Sequence, residues 1–166
     1  MNDSYDEIVG LRAIRQYRQE PLTKDDLDAI LEAARWTGSS KNRQDWAFIV
    51  VDDPEQRDRL AAAGSFTTPV LEAPVTIALV DQSQGYEFDI GRAAQNVMLA
   101  AQAIGVASCP VTLHREDEAA AVLGLPSGSR CRYAVALGYP TDDAAAVNWG
   151  GRKPLDDLVH INRYGE

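Results

Sequence analysis

Cysteine, methionine and histidine each occur only twice in this chain of 166 residues. Cys109 and Cys131 lie far apart and outside any zinc-ligand or dithiol spacing, so both are expected as buried thiols. His114 and His160 have no Glu or His at zinc-site spacing, and no serine sits in a nucleophile elbow. Metal hydrolases and triad hydrolases are thereby disfavoured, and the histidines are read as surface or strand-end residues. Neither a G-x-G-x-x-G turn nor a Gly-rich loop ending in Lys is present, so any nicotinamide would bind without a Rossmann site. Long apolar runs are also missing: nothing approaches the roughly 20 residues that span a bilayer. Residues 1–10 are acidic and polar rather than signal-like, which makes a cytoplasmic location the expectation. Positive charge is scarce too. Sixteen Lys and Arg against 25 Asp and Glu leave a net charge of −9, which argues against nucleic acid and anionic membranes as partners.

Hydrophobic residues at 45% and charged residues at 25% are those of a folded globular chain, and the length suits one domain spanning 1–166. Thr23 begins an N-cap signature, and Leu27, Ile30, Leu31 and Ala34 recur at helical spacing, predicting a helix over 24–36. A shorter amphipathic helix over 5–10 has Ile8 and Val9 as its apolar face. Apolar, β-branched-rich runs at 47–51 and 75–80 predict buried strands, with a helix over 54–63 between them. Residues 89–104 carry Ile90, Ala93, Ala94, Val97, Met98, Ala101 and Ile104 along a broad stripe, predicting a central buried helix. Strands follow at 106–113 and 131–137, separated by an acidic helix over 115–123 that stops at Gly124. This order is neither strict βαβ alternation nor all-helical. The fold class expected is α+β: a mixed central sheet flanked by helices.

Four separated segments carry a further pattern. They are Arg12-Ala13-Ile14-Arg15-Gln16-Tyr17; the loop Gly38-Ser39-Ser40-Lys41-Asn42-Arg43-Gln44-Asp45-Trp46; the helix from Asp89 through Gln95-Asn96-Val97-Met98 to Gly105; and Ala136-Leu137-Gly138-Tyr139-Pro140 with Arg152-Lys153-Pro154. In this order, over nearly the whole chain, they resemble the nitroreductase family. The loop is the most specific, being similar to the family's Ala-Pro-Ser-x-x-Asn-x-Gln-Pro-Trp.

The resemblance implies FMN bound at a homodimer interface and electrons passing from NADH or NADPH through flavin N5 to a nitroaromatic, quinone or enone by a ping-pong mechanism. It assigns Arg12, Arg152 and Lys153 to the phosphate, where guanidinium forks suit a dianion. Arg15 falls to the flavin N1 and C2 carbonyl edge, or to a second phosphate contact, and Ala13 belongs to the same segment. Ser39, Ser40, Asn42 and Gln44 would reach the ribityl chain and ring from the partner subunit, and Thr112 and Leu113 would run beside N5. Because flavin carries the redox chemistry, no catalytic side chain and no metal are expected. The small side chains of Ala93, Ala94, Ala100, Ala101 and Ala103 suit a close helix-helix dimer contact. Departures are Leu11 for the usual first Arg, Ala13 for Ser, and Gly38 and Asp45 for the two loop prolines, with shortened segments at 65–72 and 82–88. These leave open a family member with different flavin chemistry, as in dehydrogenases, dehalogenases or users of another flavin-like cofactor, or a non-catalytic flavin-binding dimer.

Overall fold

The computed structural model describes residues 3–82, 84–147 and 150–165. Met1 and Asn2 of the acidic N-terminal stretch and Ser83 of the shortened 82–88 segment lie outside the described residues. Strands β1 (Trp46–Val51), β2 (Val75–Asp81), β3 (Ala107–Thr112) and β4 (Arg130–Gly138) form one sheet in the order β1-β2-β4-β3. The expected α+β layering is present, and every strand pairing in it is antiparallel rather than mixed. The reason the strand direction was hidden is that helices cover both faces. Each central strand is then a continuous apolar run, which reads the same in either direction.

Alternation along β2 shows the two faces. Val75, Ile77 and Leu79, with Val135 and Leu137 of β4, pack against Ile30 and Ala34 of α2 (Lys24–Arg35) and Ile90, Val97 and Ala101 of α5 (Glu87–Ala103). On the other face Ala78, Ala134, Val111 and Cys131 meet Leu60 of α3 (Pro54–Ala61), Val70 of α4 (Thr68–Glu72) and Ala119 of α6 (Glu116–Leu123). Helix starts follow their caps: Thr23 Oγ1 accepts from the Asp26 N–H at 3.2 Å, and Asp53 Oδ1 from the Gln56 N–H at 2.8 Å. Helix α6 ends at Gly124 with φ of 64°, the left-handed cap that glycine accommodates.

Helix α1 (Asp3–Gly10) departs from a core-packed role. Its apolar residues Tyr5, Ile8 and Val9 stay exposed, and Gln102 Nε2 donates to Glu7 O (2.9 Å) to hold it beside α5. The alanine stripe of α5 is divided: Ala93 and Ala101 are fully buried within the chain, whereas Ala100 and Ala103 line an open apolar groove with Ile8 and Leu99. Both cysteines are free and buried, as their spacing suggests. Burial pushes the Cys131 thiol up to about 12. No helix among the described residues is long and apolar enough to cross a membrane, and no cluster of metal-ligating side chains occurs among them.

Candidate functional site

Strand β3 is an edge strand, and Pro110 sits in its middle, exposed, where a missing N–H costs no ladder bond. The segment after α1 crosses its outer edge once: the Ile14 N–H donates to Ser108 O at 3.0 Å. Tyr17 fixes that crossing. Its hydroxyl donates to Ile14 O (2.8 Å), its backbone bridges Pro140, and its ring is buried against Ala73, Ala107 and Ala136. Beyond Ser108 the outer side of β3 opens into a cleft that adjoins a second one, the two sharing Arg15 and Val147.

The larger cleft, about 590 Å³, runs along Cys109, Pro110, Val111 and Thr112 to His114, with Ser65, Phe66, Thr68 and Pro69 opposite. Its size falls within the common range for small-molecule sites. Arg15 contacts Cys109: burial raises the thiol and the guanidinium partly opposes that rise. The smaller cleft, about 350 Å³, is walled by Arg12, Ala13, Arg15, Ala146, Val147, Gly150 and Arg152. Three guanidiniums and no carboxylate among its described lining residues stand out in a chain of net charge −9. Arg12 is held in place, its Nη1 donating to Val9 O and Leu11 O at 2.8 Å each. Gly150, at φ of 96° where a Cβ would be strained, lines this wall together with Arg152.

Arg12, Ala13, Arg15, Thr112 and Arg152 are therefore brought together. Lys153 is exposed and belongs to the lining of neither cleft, and the Leu113 side chain is buried in the core, its N–H donating to Arg132 O at 2.8 Å. Ser39, Ser40, Asn42 and Gln44 lie elsewhere. Their loop leads into β1, at the opposite edge of the sheet from β3, roughly 14 Å across three strand spacings. Asn42 and Gln44 there line a separate depression with Trp36 and Gly38.

That loop carries backbone strain. Lys41, Asn42 and Gln44 have φ of 53°, 54° and 55°, a region that costs a non-glycine residue about 1–2 kcal/mol. Ser39 Oγ accepts the Gln44 N–H at 2.9 Å, Arg92 Nη1 donates to Gly38 O at 2.5 Å, and Arg43 Nε pairs with Asp45 Oδ2 at 2.7 Å. Gly38 and Asp45 are thus each tied by an arginine, Arg92 and Arg43.

The shortened segment at 65–72, whose family counterpart lines the substrate channel by resemblance, supplies Ser65, Phe66 and Thr68 to the cleft, whereas sequence reasoning did not single out Cys109, His114 or Val147 as cleft residues. Pro69 in the first turn of α4 was the one local signal for the 65–69 wall.

An antiparallel sheet layered between helices, with an arginine-lined cleft adjoining the cleft along its edge strand β3, defines an α+β protein with locally concentrated positive charge. The sequence matches the profile of the Nitroreductase family over residues 8–76 and 68–139, and the chain belongs to that family. It is 30% identical over 154 residues to a putative NADH dehydrogenase/NAD(P)H nitroreductase of Archaeoglobus fulgidus, covering 86% of this chain and 88% of that one. It is 27% identical over 186 residues to the NADPH-flavin oxidoreductase of Vibrio harveyi, covering 100% and 76%. The solved NADPH:FMN oxidoreductase from Vibrio harveyi in complex with NAD+ superposes with a TM-score of 0.89 at 26% identity, covering 99% of this chain and 79% of that one.

Proposed function

We propose that this chain is an FMN-dependent oxidoreductase using NADH or NADPH, built as one domain over residues 1–166 and working as a cytoplasmic homodimer. The observation that carries the reading is the carboxylate-free arginine cleft that adjoins, through Arg15 and Val147, the cleft along β3, in a chain whose relatives are named flavin oxidoreductases and nitroreductases. The residues fit FMN. A phosphate dianion suits the guanidiniums of Arg12, Arg15 and Arg152, and the larger cleft along Pro110, Val111 and Thr112 has room for a ring system. Lys153, one residue on, adds a cation to the approach.

FMN, when bound, supplies two-electron transfer from NAD(P)H to a nitroaromatic, quinone or enone. The chain's own residues bind and orient. Arg15, shared by both clefts, would hold the flavin where the two clefts meet, and its positive charge would favour the reduced form, which carries negative charge. The strained Ser39–Gln44 loop cannot reach the arginine cleft of its own chain across the sheet, so it completes the site of a second copy. The apolar groove of Ile8, Leu99, Ala100 and Ala103 is the surface through which that copy docks. No side chain is required as acid, base or nucleophile.

The test is reconstitution with FMN followed by initial rates at varied NAD(P)H and acceptor. Parallel double-reciprocal lines are expected. Intersecting lines, or no turnover by a flavin-loaded protein, would count against the mechanism.

A further inference from the structure

With Arg15 and the arginine cleft assigned to the cofactor, the remaining lining of the larger cleft has its own chemistry. Ser65, Phe66, Thr68 and His114 are all exposed, forming a rim of two hydroxyls, one imidazole and one aromatic face. No Asp or Glu is among the described residues that line this cleft, although acids outnumber bases across the chain. Of the three acids that follow His114, Glu116 pairs with Arg132 Nη1 at 2.6 Å and Glu118 with Arg115 Nε at 2.9 Å, while Asp117 is exposed and is not among the cleft's lining residues.

The rim is also rigidly built. The Arg115 N–H donates to Ala63 O (2.9 Å) and its Nη2 to Gly64 O (3.0 Å) and to Ala62 O. Thr67 Oγ1 donates to Ala61 O at 2.8 Å. The turn sits so close to β3 that a Cβ on Gly64 would come within 2.8 Å of Thr112 O. Phe66, 82% exposed and without a core to enter, is therefore held on the same support as His114. An exposed aromatic on a fixed turn offers stacking area at little entropic cost, and an imidazole N–H beside hydroxyls offers donors to an anion.

We propose that this rim selects planar aromatic acceptors bearing a carboxylate or similar anionic substituent, stacked on Phe66 and received by His114 with Ser65 and Thr68. The inference rests on the flavin reading for what the cleft is for, and on the rim alone for what it prefers. An anion is otherwise repelled by the protein's net charge, so a preference for one has to arise locally.

Titration calorimetry with 4-nitrobenzoate and its neutral isostere 4-nitrobenzamide, on the protein with and without bound FMN, tests it. The wild-type protein is expected to bind the benzoate about tenfold more tightly, the scale of one charge-assisted hydrogen bond. His114→Ala should bring the ratio near one, and His114→Glu should reverse it, with thermal unfolding confirming that both variants fold. Equal binding of the two ligands by the wild type, no binding of either in both forms, or a ratio unmoved in His114→Glu would overturn the proposal. A protein that takes up no FMN would instead defeat the flavin reading, while the two nitroaromatics still decide the rim's preference.

Discussion

Replacing Arg152 by alanine is expected to weaken FMN while leaving riboflavin, which lacks the phosphate, almost untouched. The smaller cleft offers a dianion the guanidiniums of Arg12, Arg15 and Arg152. Arg12 already spends Nη1 on the carbonyls of Val9 and Leu11, both at 2.8 Å, so it cannot swing across to replace a lost neighbour. A charge-assisted hydrogen bond contributes roughly 1.5–3 kcal/mol. Arg152 is exposed, which places its share at the lower end, about tenfold in Kd. Arg152→Lys keeps the charge but loses the planar fork and should fall between the two. Raising the ionic strength should narrow the gap between wild type and variant for FMN and leave riboflavin flat. Flavin fluorescence quenching, run as a cycle of two proteins and two ligands, isolates the phosphate contribution. Parallel weakening of FMN and riboflavin would show that Arg152 acts through the fold, and an unchanged FMN Kd would remove it from the site.

Three more outcomes are expected. Gly64→Ala places a Cβ 2.3 Å from Thr67 Cγ2 and 2.8 Å from Thr112 O, an overpacking that should cost about 1–3 kcal/mol and lower Tm by about 2–12 °C in a thermal melt. Cys131 keeps its proton in the fold up to about 12, whereas the unfolded thiol loses it nearer 9. The folded state then binds the extra proton, so stability should fall as pH rises through that window, and Cys131→Ala should flatten the slope in denaturant titrations. Ala103→Arg puts a charge into the open apolar groove; if that groove is the proposed docking surface, wild type should sediment as a dimer and the variant as a monomer with weakened FMN binding.

How much of this was legible beforehand depended on whether the information was local. Helix α2 announced itself through Thr23 and the spacing of Leu27, Ile30, Leu31 and Ala34, and its observed span, Lys24–Arg35, falls one residue short of the expected end. The strands were visible as apolar runs, but the order β1-β2-β4-β3 and the antiparallel pairing are non-local and left no mark in composition. Helix α4 has five residues, too few for a helical period to show. The arginines of the cleft were identified through motif order rather than through charge, since an isolated Arg reads as a surface residue. Phe66 lay within the shortened 65–72 segment, but that its ring stands exposed follows only from the docked turn, since a lone phenylalanine has no periodic pattern to place it. The alanines of α5 show the same limit, because their spacing does not say which of them face the chain's own core and which face outward.

The most direct test of the central claim is a pair of anaerobic half-reactions followed by flavin absorbance. The FMN-loaded protein mixed with NADH or NADPH should lose its oxidised-flavin band, and a second mixing with a nitroaromatic or quinone should restore it. A bound flavin that stays oxidised in the presence of both nicotinamides, at concentrations that saturate related reductases, would contradict the account.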